Sequence, residues 1–123
     1  MAFVTDRKRV MGLGAARTGT EAHWAMTVSS VGLLLLIPLF VLTFGRALGG
    51  SHEEVLAHFS RPYPAIVTAL TIAVSFMHFK NGVRVLLEDY VHGLMREVLI
   101  IAMTLLCYVA AAVGVFAVAR IAL

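Results

Sequence analysis

Three long apolar runs constrain this chain more than any other feature. Residues 25–44 are 20 positions without a charge, residues 98–119 are 22, and residues 65–79 are 15 before Lys80 interrupts. A helix crosses the hydrocarbon core of a bilayer in about 20 residues, so the first and third runs span as they stand. The second must take in residues beyond Lys80, which Val83, Val85, Leu86 and Leu87 permit. Composition agrees: 60% of the 123 residues are hydrophobic and 14% charged, against about 25% charged in a water-soluble domain. Mean hydropathy is +0.91. The expected fold is an all-α membrane protein with three transmembrane helices. It forms one domain over 1–123, divided into an N-terminal segment 1–24, span 25–44, loop 45–64, span 65–89, turn 90–97 and span 98–119. Nothing is left over for a soluble catalytic domain. The opening segment carries Arg7, Lys8, Arg9 and Arg17 without an apolar core and a small-residue cleavage site, so it does not read as a signal peptide.

Lys and Arg near helix ends are retained on the cytoplasmic side. Four of the ten basic residues precede the first run, and Lys80, Arg84 and Arg96 surround the end of the second. With three spans those seven share a side, leaving Arg46, Arg61 and Arg120 on the other. The expected orientation therefore has the N-terminus and the 90–97 turn in the cytoplasm and the C-terminus in the periplasm. A net charge of +3 fits a membrane-surface bias. No basic patch interleaved with aromatics accompanies it, so nucleic acid is not an expected partner.

In the loop, Gly49-Gly50 and the pair Pro62 and Pro64 mark turns. Ser51-His52-Glu53-Glu54 reads as a helix N-cap followed by first-turn acids, predicting a short surface helix over 51–60. His52 and His58 lack a Cys partner and read as loop histidines rather than metal ligands. Cys107, the single cysteine, reads as a small buried hydrophobe. Pro38 is expected to kink the first span, and Gly32, Gly82 and Gly114 to mark close approaches.

The most specific stretch runs from His78 to Tyr90. An ionisable side chain within a span usually marks a site, and His78 follows a charge-free segment. At 100° per residue, His78, Gly82, Val85 and Asp89 share one helix face. Neutral imidazole is the usual axial ligand of haem iron, and Gly82, one turn on, leaves room for a flat macrocycle. Lys80 and Arg84 can snorkel to lipid phosphates or reach haem propionates. Arg84 and Glu88 are spaced as an ion pair. The plainer reading of His78 is a hydrogen bond to a neighbouring helix, and that of Tyr90 an aromatic belt residue at the interface.

His78 followed by Glu88-Asp89-Tyr90, in the second of three spans, resembles the hydrophobic membrane anchor of succinate dehydrogenase, the D anchor of respiratory complex II, in its alphaproteobacterial branch. Gly12-Leu13-Gly14, Gly19-Thr20-Glu21, Trp24, Arg61-Pro62 and Gly82-Val83-Arg84 share the likeness, which covers essentially the whole chain. The resemblance implies a multi-pass protein of the bacterial inner membrane that pairs with a cytochrome b556-type C anchor, the two forming a bundle around haem b. Together they would dock the iron-sulfur subunit and the flavoprotein subunit, which hold the iron-sulfur clusters and FAD. His78 would be an axial ligand of the haem iron, Tyr90 would hydrogen-bond a ubiquinone carbonyl, and Asp89 would support that site or its proton delivery.

One departure is the absence of an arginine near the start of the first span, where Met26-Thr27-Val28-Ser29-Ser30 stands. Thr27, Ser29 or Ser30, or Arg17 and His23 from the preceding segment, are the remaining candidates for the propionates. Three other readings compete. A fumarate reductase anchor working with menaquinol shares the same features. A small proton or anion transporter would need charges along more than one span, and a plain anchor would carry no cofactor.

Overall fold

The computed structural model describes residues 5–10 and 19–123, the side chain of Lys8 excepted. All regular structure among them is helical: α1 (Asp6–Val10), α2 (Gly19–Gly45), α3 (His52–Phe59), α4 (Pro62–Tyr90) and α5 (Leu94–Ala122). Helices α4 and α5 have 29 residues each and α2 has 27. At 1.5 Å per residue they are roughly 40–44 Å long, and all three are apolar enough to cross a membrane. The chain is an all-α membrane protein with three spanning helices.

Helix α4 is the middle element, packed against α2 on one side and α5 on the other, while α3 leans on α4 and α5. Side-chain meetings give the register. Along one seam a Cβ built on Gly82 points toward Met26, Ser29 meets His78, and a Cβ built on Gly32 would contact Val74. Along the other, Ile72 lies against Gly114 and Lys80 against Tyr108. Both pairs are antiparallel, so the start of α2, the end of α4 and the start of α5 lie at one end of the bundle.

Local sequence explains the helix ends. Pro62 begins α4 at a position where its missing N–H is not needed. The helix then continues through Lys80 and Asn81-Gly82 to Tyr90, with no proline between them to remove a backbone donor. Gly93 has φ of 70°, a left-handed conformation that glycine adopts freely, and α5 starts at the next residue. The connection is thus shorter than its polar residues suggest, since Arg96 and Glu97 fold into the first turns of α5. An acid there favours the helix N-terminus. In α3 the Ser51 hydroxyl accepts from Glu54 N–H at 3.3 Å and Ser51 N–H donates to Glu54 Oε2 at 2.7 Å, a complete capping box. Helical assignment in α2 runs on through Pro38.

The packed core is small and follows α4. Ala65, Val67, Thr68, Thr71 and Leu87 are buried on it, with Thr43 from α2 and Cys107 from α5. Cys107 is only 2% exposed and packs as a small hydrophobe. The hydroxyls of Thr43 and Thr71 donate within their helices, to Leu39 O at 2.6 Å and Val67 O at 2.7 Å, which satisfies them without an interhelical partner. Elsewhere α2 and α5 present leucine, valine and phenylalanine outward, Leu34 at 72% exposure among them. Such surface belongs against lipid or other membrane helices, where packing rather than water exclusion drives association.

Candidate functional site

Helix geometry carries His78 to a point two residues past the midpoint of α4, half-buried at the α2 seam. Its Nδ1 lies 2.9 Å from Ser29 Oγ. Ser29 Oγ also lies 2.9 Å from the Met26 carbonyl, to which the hydroxyl donates. Nε2 makes no hydrogen bond among the described residues, so the imidazole is tethered at one nitrogen and free at the other. One turn along, a Cβ added to Gly82 would meet only the Met26 methyl, at 3.9 Å. On that side this chain backs Gly82 with a single flexible methyl.

These features fit a planar macrocycle with an axial imidazole. The donor set is one histidine, and the described residues gather no group of three or more His, Cys, Asp or Glu. A single imidazole suits an axial position and not a protein-only metal cage. A histidine that ligates a metal through one ring nitrogen almost always donates its other N–H to a partner that fixes tautomer and orientation, and Ser29 Oγ lies within hydrogen-bond distance of Nδ1.

The other sequence-predicted residues divide among three locations. Asp89 and Tyr90 end α4 on the turn side of the bundle, with Tyr90 79% exposed. They lie about 17–18 Å along the helix axis from His78. Lys80 turns to the opposite seam. Its Nζ is 3.1 Å from Tyr108 Oη and 5.0 Å from the centre of that ring. Since Lys80 is two residues from His78, its charge sits at nearly the same depth, and Tyr108 supplies both a hydrogen-bond acceptor and a π face there. Arg84 points outward and pairs with Glu88 at 2.8 Å.

Of the three hydroxyls near the start of α2, only Ser29 reaches another helix. Thr27 donates to His23 O at 3.0 Å and Ser30 to Met26 O at 2.9 Å. Arg17 and Gly12-Leu13-Gly14 lie outside the described residues. What sequence reasoning missed is the pairing of Ser29 with His78 and of Tyr108 with Lys80. Both join residues on different helices, and no local motif signals either one.

Three open hollows, of about 570, 500 and 430 Å³, lie at the far end of the bundle from Tyr90. One is framed by Leu56, Ala117 and Arg120, and the other two share Arg46, His58 and Arg61. None of the three is lined by Asp89 or Tyr90.

Comparison with known proteins gives a consistent result. The chain matches the family model described as succinate dehydrogenase/fumarate reductase transmembrane subunit over residues 1–118. It is 45% identical to a succinate dehydrogenase hydrophobic membrane anchor subunit of Paracoccus denitrificans, covering all of this chain and 95% of that one. The subunit of the same name from Rickettsia bellii is 32% identical over 93% of this chain and 94% of its own length. That of Rickettsia conorii is 26% identical over 87% and 86%. No solved structure matches the chain significantly.

Proposed function

The chain belongs to the family of succinate dehydrogenase and fumarate reductase transmembrane subunits, and from that premise we propose that it binds haem b and ubiquinone as the D anchor of a succinate:ubiquinone oxidoreductase. It is a multi-pass protein of the bacterial inner membrane. In the proposed assembly it pairs with a C anchor that supplies the second axial ligand, and the two dock the iron-sulfur and flavoprotein subunits on the cytoplasmic face. The positive-inside bias supports that orientation, with the 91–93 connection cytoplasmic and the C-terminus periplasmic. The chain has no reaction of its own to perform; it holds groups at fixed depths.

The observation that carries the haem reading is the imidazole of His78, tethered by Ser29 at Nδ1 and unengaged at Nε2, one turn from Gly82, whose Cβ side meets only the Met26 methyl. Bound haem would supply a one-electron relay and store at mid-membrane. Lys80, held by Tyr108 on the other seam, is not part of this reading, and Arg84 is engaged by Glu88.

At the mouth of α4, Tyr90 and Asp89 serve the quinone. Reduction to quinol takes up two electrons and two protons. The Tyr90 phenol donates a hydrogen bond to a quinone carbonyl, polarising it as negative charge builds on the oxygen. Asp89, adjacent in sequence and exposed to water, accepts and passes protons to that position. The exposure of both residues supports a pocket completed by partner subunits. The test compares two acceptors in the purified complex. Tyr90→Phe should depress electron transfer to ubiquinone at least tenfold, since it removes a hydrogen bond worth about 1.4 kcal/mol or more in the transition state. Transfer to a soluble dye that intercepts electrons upstream should be unchanged. Equal loss with both acceptors would remove Tyr90 from the quinone site.

A further inference from the structure

The hydrogen bond between Ser29 and His78 joins α2 to α4 at mid-depth, and the chemistry of the two groups restricts how it can run. A serine hydroxyl has one proton to donate and lone pairs to accept with. Neutral imidazole has one N–H and one bare nitrogen, and which is which follows from the partners available. Two arrangements can be written for the Nδ1 to Oγ contact, and only the second also leaves a proton for the 2.9 Å contact from Ser29 Oγ to the Met26 carbonyl. In one, Ser29 donates to bare Nδ1, leaving the proton on Nε2. In the other, Nδ1–H donates to Ser29 Oγ, whose own proton goes to the Met26 carbonyl, and Nε2 presents a lone pair. Only the second leaves His78 able to ligate a metal through Nε2.

We propose that Ser29 is a positioning residue that holds His78 as the Nδ1–H tautomer and tunes the haem iron through the relay Nδ1–H to Oγ–H to the Met26 carbonyl. The inference rests on the haem reading of His78. Two features on α2 support it. Ser29 is the single hydroxyl in the row Thr27, Ser29, Ser30 that faces α4, the other two being satisfied by their own helix. The Met26 carbonyl lies 2.9 Å from Ser29 Oγ, on the same turn of the helix. A hydroxyl that both accepts and donates is polarised from each side, which strengthens both bonds in a low-dielectric setting. The relay thereby raises the electron donation of the imidazole, as a carbonyl or carboxylate partner does for other metal-bound histidines.

Loss of the acceptor makes His78 a weaker donor, which favours the reduced iron and loosens the ligand. Ser29→Ala in the intact complex should raise the reduced-to-oxidised ratio of the b-type haem at a fixed potential about tenfold, or 59 mV for one electron. Haem affinity should fall about 10-fold or more. Ser29→Thr, which keeps the hydroxyl, should behave as the native protein, and its isostere Ser29→Val as the alanine variant. Ser30→Ala, which removes a neighbouring hydroxyl bonded to the same carbonyl, should change neither quantity.

The outcomes separate the two readings. If His78→Ala keeps the native haem spectrum, the haem reading itself fails. If His78→Ala loses that spectrum while Ser29→Ala and Ser29→Val keep the native potential and haem content, only the role of Ser29 is overturned. A shift of equal size in Ser30→Ala, or failure of both Ser29→Thr and Ser29→Val to assemble, would mean a packing role and would likewise overturn it.

Discussion

The two seams of α4 are built differently. Against α5 the fit is tight: a Cβ placed on Gly114 would come within 2.9 Å of Ile72, and the buried Cys107 lies on the same helix. Against α2 the fit is looser. The corresponding distances are 3.6 Å at Gly32 and 3.9 Å at Gly82, and the contact at His78 is a hydrogen bond to Ser29. A tight seam resists change because an interior has no volume to spare. A seam with a glycine backed only by a flexible methyl and a half-engaged imidazole is suited to receive something else. The two faces of one helix thus differ in kind: the α5 face is closely packed, and the α2 face carries the site at which we propose the cofactor binds.

Substitutions at the two glycines should break that comparison most sharply. Gly114→Val adds bulk where Ile72 already presses, and overpacking of this kind typically destabilises by about 1–3 kcal/mol. The expected result is a lower thermal midpoint for the detergent-solubilised complex, with normal haem content in what remains folded. Within 4 Å a Cβ on Gly82 meets only the flexible Met26 methyl, so Gly82→Val should leave the thermal midpoint of the haem-free assembly nearly unchanged while reducing haem content. The opposite pattern would reverse the assignment of the seams.

A smaller effect is expected at the Lys80 pair. Tyr108→Phe keeps the ring beneath the ammonium but deletes the hydroxyl acceptor at 3.1 Å. About 1 kcal/mol of stability should be lost, with no shift in the haem potential, because the pair faces α5. A potential shift as large as that expected from Ser29→Ala would show that the two seams are not independent. Smallest of all is Arg84→Gln. The pair with Glu88 is largely exposed, at 63% and 42% of the side chains, and spaced i to i+4. Its removal should change stability by at most about 0.5 kcal/mol, and a loss above 1 kcal/mol would place Arg84 in a buried contact within the assembly.

Much of this was legible in the sequence because bilayer thickness and helix rise are fixed quantities. The runs at 25–44 and 98–119 announce two helices without any knowledge of packing. Ser51-His52-Glu53-Glu54 announces the capped α3, whose two bonds are short-range. The continuation of α4 beyond Lys80 was legible from the apolar Val83, Val85, Leu86 and Leu87 and the absence of proline before Tyr90. Less legible was the start of α5, because Arg96 and Glu97 read as turn by charge yet are good helix formers. The partner of His78 was not legible at all. Ser29 is 49 positions away, and only the antiparallel register of α2 on α4 selects it over Thr27 and Ser30, which sequence alone treats as equals. Lys80 and Tyr108 illustrate the same limit: helical spacing puts Lys80 off the His78 face, but not onto a particular ring.

The central claim is that His78 carries the haem, and it is tested by the reduced-minus-oxidised spectrum of the four-subunit complex bearing His78→Ala, normalised to bound flavin. The expected result is flavin at the native level with the b-type band lost or displaced; a band of native position and height per flavin would contradict the account.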